Sequence, residues 1–307
     1  MPRAHNDMTT QALHEEDAMP ASASAICYAS PSRPVLRYYG SKWTLAPWII
    51  SHLPPHRIYV EPYAGAASVL FRKAVSKVEV INDLNDELIN VYKVLRDESD
   101  GRKLRRLLDM TPYARREWEG AQHPAKEPIE QARRTIIKAY FTHGTAGVGG
   151  FKASDNSSGV TNARGWQTYI SALEAITNRL RGVVIEHRDA LEVIEQQDSA
   201  ETLFYIDPPY QAETRKVSQV YKHEMASADH TKLLNHLNKL KGMAALSGYE
   251  CDYYQEILSN WQRFTMKAYS FNKGSAGSRV EVLWLNDAAR KRLNASSLQP
   301  SMFSEEA

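Results

Sequence analysis

Short continuous apolar runs alternate with longer stretches of helical spacing along this chain. Thr202–Ile206 and residues 243–247 are apolar runs with the length of a buried strand. Between them, residues 227–240 place leucines at helical spacing, and Gly242 follows as a stop signal. This order of strand, helix and strand predicts parallel strands joined by a helix that crosses one face of a sheet.

Further strands are predicted on both sides of this unit. Residues 57–60 and 77–82 are rich in β-branched or aromatic side chains, and residues 183–187 form another strand. Residues 263–269 and Arg279–Leu285 flank a Gly-Ser segment, which is typical of an antiparallel pair closing a sheet. We therefore predict an α/β fold with a doubly wound, Rossmann-like sheet that is mainly parallel and has an antiparallel C-terminal strand.

The most informative chemical motif is Asp207-Pro208-Pro209-Tyr210, which directly follows the strand that ends at Ile206. At a strand end, the Asp207 carboxylate and the Pro208 carbonyl can accept the two N–H groups of an aromatic amine, while Tyr210 stacks on the ring. Two such acceptors localise the amine lone pair and stabilise the positive charge that develops when nitrogen attacks a methyl group. The same four residues are also compatible with a simple Asp-Pro turn.

A second motif lies upstream, where the strand at 57–60 leads into a turn of small residues. Gly65 lies in this turn, and Ala67 stands where a stricter glycine fingerprint has Gly. Small residues allow a ligand to approach the backbone closely. Asp83 comes 22 residues after Glu61, near the spacing at which an acidic side chain meets ribose hydroxyls in nucleotide-binding βαβ units. The turn of small residues and Asp83 together predict that the chain binds a nucleotide-like cofactor.

The chain resembles the Dam-like DNA adenine-N6 methyltransferases (D12 class, alpha group), whose methyl donor is S-adenosylmethionine. Four motifs carry the resemblance: the N-terminal cofactor motif, the glycine loop, the ribose-binding motif and the catalytic tetrapeptide, at residues 37–43, 61–68, 82–85 and 207–210. The similarity extends from residue 36 to 285, with an interruption in the middle. In the group with this motif order, target recognition is inserted between the cofactor motifs and the catalytic motif.

The resemblance implies which residues bind the donor. The implied cofactor-binding residues are Tyr38, Gly40, Lys42, Glu61, Tyr63, Gly65, Asp83, Asp189 and Asp207. Lys42 would lie near the donor's carboxylate, Asp83 on its ribose and Asp189 on its adenine. Structural alternatives exist, because Lys42 could be an exposed helix charge, Tyr63 a core aromatic and Asp189 a helix N-cap.

The sequence divides into tails, a catalytic domain and an insertion. Residues 1–34 are rich in Ala, Ser, Pro and acids without apolar periodicity, and we predict a disordered N-terminal tail. Residues 288–307 lack core signals and are predicted to be a C-terminal tail. Residues 35–100 and 183–287 are predicted to form the S-adenosylmethionine-dependent catalytic domain, and residues 101–182 a mostly helical target-recognition insertion.

Composition limits the alternatives. Only Cys27 and Cys251 occur, which excludes a disulfide framework and a cysteine zinc cluster. The histidines lack metal-ligand spacing, and neither a P-loop motif nor a zinc-deaminase motif is present. No apolar run approaches the ~18 residues of a membrane span. We expect a protein without a metal or membrane partner, a monomer or weak dimer in the bacterial cytoplasm, of phage or prophage type.

The segment assigned to target recognition is basic. Residues 101–182 contain 14 Lys and Arg against seven Asp and Glu, whereas the net charge of the whole chain is +2. Such an excess is expected on a surface that faces phosphates. The candidate DNA-binding residues are Arg115, Arg116, Arg133, Arg134, Lys138, Lys152 and Arg164. The alternative is that at least half of them lie on solvated helix faces.

Within the insertion, helices are predicted at residues 127–140 and 166–181, with a segment rich in Gly and aromatic residues at 141–152 between them. The family's usual Asn- and Arg-bearing hairpin is not recognisable here. The family's best-known target, GATC, is therefore not transferred to this chain.

Together these features predict a DNA methyltransferase, of strict or relaxed sequence specificity, that transfers a methyl group from S-adenosylmethionine to N6 of an adenine rotated out of double-stranded DNA. Asp207, Pro208, Pro209 and Tyr210 are the predicted catalytic residues. Three alternatives stay open: cytosine N4 as the target atom, an RNA substrate, and a catalytically idle DNA-binding protein on the same scaffold.

Overall fold

A computed structural model describes residues 30–144, 149–153, 162–210, 224–268 and 279–297 of the chain. Residues 145–148 of the predicted 141–152 segment, residues 1–29 of the predicted N-terminal tail and residues 211–223 after Tyr210 lie outside these ranges. None of the described helices is long and apolar enough to cross a membrane.

Seven strands in the described residues form one sheet with the order β3-β2-β1-β4-β5-β7-β6. The strands are β1 (Ile58–Glu61), β2 (Val78–Asn82), β3 (Val183–Glu186), β4 (Thr202–Ile206), β5 (Met243–Tyr249), β6 (Gln262–Ala268) and β7 (Arg279–Leu285). Strands β1 to β5 pair in parallel, and β7 runs antiparallel to both β5 and β6. The predicted sheet, mainly parallel with an antiparallel C-terminal strand, is confirmed.

Helices connect the strands and flank the sheet. They are α1 (Ala46–Ser51), α2 (Ser68–Arg72), α3 (Asp86–Arg96), α4 (Glu98–Asp109), α5 (Arg115–Ala121), α6 (Pro128–Phe141), α7 (Asn162–Leu180), α8 (Ala190–Gln197), α9 (Ser227–Leu237), α10 (Asp252–Ile257) and α11 (Asp287–Ser297). Several begin at side-chain caps, as where the Asn85 side chain accepts a hydrogen bond from the Glu87 amide at the start of α3.

The sheet is covered on both faces, as expected for a doubly wound fold. Tyr59 of β1 belongs to one buried apolar cluster and the next residue, Val60, to the other, because successive side chains of a strand point to opposite faces. Helices α3, α4, α6 and α7 contribute to the first cluster, and α8, α9 and α10 contribute to the second. The helices of the predicted insertion therefore share a core with the sheet.

A buried ionic network also joins the insertion to the sheet. The Glu79 carboxylate of β2 accepts a hydrogen bond from the Lys73 ammonium at 2.7 Å and one from the Arg179 guanidinium of α7 at 2.8 Å. Arg179 also donates to the carbonyl of Leu70 at 3.0 Å. All three charged side chains are largely buried. Buried ion pairs stabilise a fold only when their hydrogen bonds are satisfied.

Both predicted tails are shorter than the sequence suggested. Residues 288–297 belong to α11, which was missed because its apolar content is low. This helix is fixed by the buried side chain of Asn286, whose Oδ1 accepts hydrogen bonds from the amides of Ala289 and Ala244 at 2.9 and 3.0 Å. At the other end, the carbonyl of Pro34 accepts a hydrogen bond from the Tyr140 hydroxyl at 3.1 Å. Pro34 therefore contacts the insertion.

Two helix boundaries differ from the predictions. Helix α7 begins at Asn162, four residues before the predicted start. Helix α9 ends at Leu237 instead of residue 240, although Leu240 still packs against the second cluster. Its leucine spacing continues through the following turn, so periodicity alone overestimates the length of the helix.

Candidate active site

A cavity of about 380 Å³ lies at the carboxyl ends of the central strands. The chain order reverses between β1 and β4, and in open α/β sheets ligands bind at such a switch point. The cavity lining includes every residue that the sequence assigned to the cofactor: Tyr38, Gly40, Lys42, Glu61, Tyr63, Gly65, Asp83, Asp189 and Asp207. The fold thus brings four separate motifs together around one space.

The turn after β1 has the backbone that a close ligand approach requires. Gly65 has a φ of +48°, and a Cβ built there would lie 3.4 Å from the Tyr38 ring. Ala67, where the stricter fingerprint has Gly, adopts a φ of 47° and is fully buried. A residue with a Cβ costs roughly 1–2 kcal/mol in this left-handed region. The turn therefore keeps a conformation that its sequence does not favour.

The Asp83 carboxylate is oriented by backbone amides. Oδ2 accepts a hydrogen bond from the Gly65 amide at 2.8 Å, and Oδ1 accepts one from the Asn85 amide at 2.9 Å. A carboxylate oxygen has two lone pairs and can accept from more than one donor. The acid expected to meet the ribose thus also holds the glycine turn in place.

Asn82 supports the site through the hydrogen bonds of its side chain, a role that was not predicted from the sequence. Its side-chain amide donates to the carbonyls of Pro62 and Arg188, each at 3.0 Å, and its Oδ1 accepts from the Arg188 amide at 2.9 Å. One fully buried side chain therefore ties together the loops that follow β1, β2 and β3.

Glu61 ends β1 as a buried carboxyl group beside the cavity. Its Oε1 accepts hydrogen bonds from the Tyr59 hydroxyl at 2.8 Å and from the Leu70 amide at 2.7 Å. Burial raises the pKa of Glu61 to about 7, although these two hydrogen bonds lower it. The group consequently changes its charge near neutral pH.

Asp207 follows β4 and pairs with Lys42. Oδ2 lies 2.9 Å from the Lys42 Nζ, which also donates to the Gly40 carbonyl at 2.9 Å. Oδ1 is buried and has no hydrogen-bond partner among the described residues. The Asp207 side chain as a whole is 18% exposed, and Asp207 lines the cavity. One oxygen of this carboxylate is therefore held by Lys42, and the other is buried beside the cavity.

The charges of this pair are set by burial and by neighbours. Burial raises the pKa of Asp207, and the Lys42 ammonium opposes this rise without cancelling it. Burial lowers the pKa of Lys42, but the carboxylates of Asp207 and Glu281 outweigh it, so the pKa of Lys42 is raised. Lys42, 5% exposed, remains a cation directed at Asp207 and is not an exposed helix charge.

Tyr210 supports the cavity without lining it. Its hydroxyl donates to Glu281 Oε2 at 3.2 Å, and its ring meets the Tyr249 ring edge-on at a centroid distance of 4.5 Å. The Lys42 Nζ lies 4.8 Å from the same ring's centroid. Pro209 lines the cavity, whereas Pro208 and Tyr210 do not. A base can stack on this ring only if the ring becomes more exposed than its present 7%.

Asp189 and Tyr63 combine structural and cavity positions. Asp189 caps α8, where its Oδ1 accepts a hydrogen bond from the Leu191 amide at 2.8 Å, and it also lines the cavity. Tyr63 packs against the second apolar cluster while its side chain contributes to the lining. Burial raises the pKa of Tyr63. Asp189 is therefore a helix cap and Tyr63 a core aromatic, and both residues also line the cavity.

Three candidate DNA-binding residues form ion pairs with other residues that the structure describes: Arg133, Arg134 and Lys138. Arg133 and Arg134 both donate to Glu130 at 2.7 Å, and Arg133 also donates to Glu117 at 2.9 Å. Lys138 donates to Glu87 at 2.9 Å. These side chains hold α6 to its neighbours, so reversing their charge changes the stability of the fold as well as the surface potential.

The other four candidates are placed differently. Arg115, Arg116 and Arg164 are exposed, and the Arg115 guanidinium lies 5.0 Å from the centroid of the Phe151 ring. Lys152 is partly buried, and its carbonyl accepts a hydrogen bond from the Tyr113 hydroxyl at 2.8 Å. Contact of these residues with DNA stays a prediction. In the part of the chain that the structure describes, no group of three or more acidic, His or Cys side chains could hold a metal ion.

Comparison with known proteins gives the family. Residues 38–270 match the model of the D12 class N6 adenine-specific DNA methyltransferases. The type II methyltransferase M.MjaIII of Methanocaldococcus jannaschii is 23% identical over 258 residues, which cover 73% of this chain and 87% of that protein.

Shorter matches are found to DNA adenine methylases. That of Vibrio cholerae is 38% identical over 66 residues and that of Escherichia coli K12 is 33% identical over 69 residues. Each match covers 22% of this chain and 24% of the methylase, so the aligned part spans about a quarter of those relatives. Among solved structures, the rRNA methyltransferase aviRa of Streptomyces viridochromogenes aligns over 84% of this chain and 89% of its own, with a TM-score of 0.37 and 14% identity. Because the family match includes the cofactor motifs, the insertion and the catalytic tetrapeptide, the chain belongs to the D12 class N6 adenine-specific DNA methyltransferases.

Proposed function

We propose that this enzyme transfers a methyl group from S-adenosylmethionine to N6 of an adenine that has rotated out of a DNA duplex. The observation that carries the proposal is a single cavity lined both by the cofactor motifs and by Asp207 and Pro209 of the catalytic tetrapeptide. Rotation of the base is required because a target inside the base stack cannot reach a donor in a cleft at the end of the sheet.

The residues of the cavity fit the proposed donor. Its volume lies within the roughly 300–1,000 Å³ of small-molecule sites. Asp83 can accept hydrogen bonds from ribose hydroxyls, Glu61 can accept from the ammonium of the methionine part, and Asp189 can accept from an adenine amine. Gly65 lets the backbone approach closely. S-adenosylmethionine, when bound, supplies an electrophilic methyl group on a sulfonium that acts as the leaving group.

At the other end of the cavity, Asp207 is suited to hold the target amine. Oδ1 can accept one N–H of the adenine amine, and the Pro208 carbonyl is proposed to accept the other. Both acceptors stabilise the positive charge that develops on N6. Because burial raises the pKa of Asp207, its carboxylate can also receive the proton that N6 loses. The Lys42 ammonium favours the ionised form of this carboxylate and opposes the effect of burial.

The basic insertion is proposed to contact the duplex. Arg115, Arg116 and Arg164 are the exposed candidates for phosphate contacts, and such contacts position the protein without reading the sequence. Double-stranded DNA is the proposed partner of this surface.

Product analysis tests the proposal. Purified protein is incubated with plasmid DNA and S-adenosylmethionine, and the DNA is digested to nucleosides for mass spectrometry. We expect N6-methyladenine with the wild-type protein and none above background with Asp207→Ala. N4-methylcytosine as the product would identify the other amine as the target. An absence of any methylated nucleoside, with donor binding intact, would favour the idle DNA-binding alternative.

A further inference from the structure

A buried carboxylate lies beside the catalytic tetrapeptide but outside the cavity. Glu281 of β7 is 6% exposed and does not line the cavity. In the antiparallel register of β5 and β7 it stands directly opposite Tyr249. Tyr210 contacts both residues, because its hydroxyl donates to Glu281 Oε2 and its ring forms a T-shaped pair with the Tyr249 ring. The last strands of the sheet thus form a cradle for Tyr210.

A carboxylate in such a place needs compensation, because a buried charge without partners is strongly unfavourable. Glu281 has the Tyr210 hydroxyl as a hydrogen-bond donor, and the Lys42 ammonium lies close enough to interact with its charge. Lys42 also contacts the Tyr210 ring and pairs with Asp207. Glu281 is therefore bonded directly to Tyr210 of the catalytic motif and connected to Asp207 through Lys42.

We propose that Glu281 is a positioning residue for methyl transfer, which holds the Tyr210 ring by its hydroxyl and the Lys42 ammonium by its charge. Through these two contacts it fixes the side chain of Asp207 and the aromatic wall of the base site. This role rests on the proposed function, since Tyr210 and Asp207 act on the target base there. Glu281 touches neither the donor nor the base, so its loss affects turnover and target binding and leaves donor binding intact.

A double-variant cycle between Glu281→Ala and Tyr210→Phe tests the role. Each change removes one side of the same hydrogen bond while the ring of Tyr210 is retained. We expect each variant to lower kcat about tenfold, because a hydrogen bond to a charged group is lost. The donor dissociation constant should stay within about twofold of the wild-type value. The combined variant should be no slower than the slower single variant, since the shared contact can be lost only once.

Two further variants make the result specific. Glu281→Gln retains an acceptor for the Tyr210 hydroxyl, so its kcat should lie between those of the wild type and Glu281→Ala. Glu250→Ala is the matched control, because Glu250 follows Tyr249 directly but is exposed and pairs with Arg263 at 2.8 Å. Its kcat should equal that of the wild type. Thermal unfolding of each variant shows whether it folds, and if Glu281→Ala does not, the same cycle is measured with Glu281→Gln.

Three outcomes would overturn the role: wild-type kcat in Glu281→Ala, losses that multiply in the combined variant, or an equal loss in Glu250→Ala. A fluorescent 2-aminopurine at the target position gives an independent reading, because a loosened Tyr210 should reduce stacking on the rotated base. If the wild-type protein itself methylates no DNA, the proposed function fails. If it does methylate DNA and the losses multiply, only the inference about Glu281 fails.

Discussion

The pair formed by Lys42 and Asp207 gives a quantitative test of the site's electrostatics. Replacing Lys42 with Met keeps most of the side chain's length and removes the charge beside Asp207. At 2.9 Å, opposite charges attract by about 6 kcal/mol at an effective dielectric constant of about 20. Desolvation offsets part of this, and loss of one partner from a buried pair costs about 3–5 kcal/mol. Because Asp207 is 18% exposed, we expect Lys42→Met to lower the free energy of unfolding by an amount near the lower limit, about 3 kcal/mol.

The stability that Lys42→Met loses should depend on pH in a defined direction. Without Lys42, the pKa of Asp207 rises further, because burial is no longer opposed by the ammonium. The folded protein then binds a proton that the unfolded chain does not, so its stability falls as pH rises through the folded-state pKa. The deficit of Lys42→Met in unfolding free energy should therefore be smaller in acidic buffer than in alkaline buffer.

Urea denaturation at both pH values measures this deficit. The combined variant Lys42→Met with Asp207→Asn is the matched control, because it removes both charges of the pair, although the buried Glu281 carboxylate still loses the nearby ammonium. It should recover part of the lost stability at high pH. An equal deficit at both pH values, or no recovery in the combined variant, would refute the account of the pair as a buried charge and its counter-ion.

Three further predictions concern the donor and DNA. Asp83→Ala should raise the donor dissociation constant at least tenfold, because one or two hydrogen bonds to a charged group are lost at about 1.5–3 kcal/mol each. Asp207→Ala should change this constant little. Calorimetric titration measures both values, and equal effects would mean that the two ends of the cavity are misassigned. Since burial raises the pKa of Glu61 to about 7, donor affinity should increase from pH 6 to pH 8 as the carboxyl group ionises, and this increase should vanish in Glu61→Gln. Arg115→Glu combined with Arg116→Glu should weaken DNA binding and flatten its dependence on salt, and an unchanged salt slope would exclude these side chains from the interface.

Much of the fold follows from local patterns in the sequence. Thr202–Ile206 is a continuous apolar run and forms a central strand buried along its whole length, so its position was predicted without error. The motifs that line the cavity could also be located, because each follows a strand and the carboxyl ends of parallel strands meet at one edge. Helix α11 was missed because capping by the buried Asn286 leaves little periodic signal. The end of α9 was placed too late because its leucine spacing continues into the following turn.

The supporting contacts of the site could not be predicted from the sequence. Tyr210 and Glu281 are 71 positions apart, and Asn82 and Arg188 are 106 positions apart. Such contacts depend on which strands become neighbours and in which register. The one available signal for Glu281 was an acidic residue inside the apolar strand Arg279–Leu285, where a buried charge requires a partner. The burial of Tyr210 likewise depends on strands far along the chain.

A crystal structure with S-adenosylhomocysteine, the demethylated donor, tests the central claim most directly. The claim is that one cavity holds the donor with its reactive end at Asp207. We predict the ribose hydroxyls within hydrogen-bond distance of Asp83 and the sulfur on the side of the cavity formed by Asp207. A ligand bound elsewhere, or bound here with its sulfur directed away from Asp207, would contradict the account.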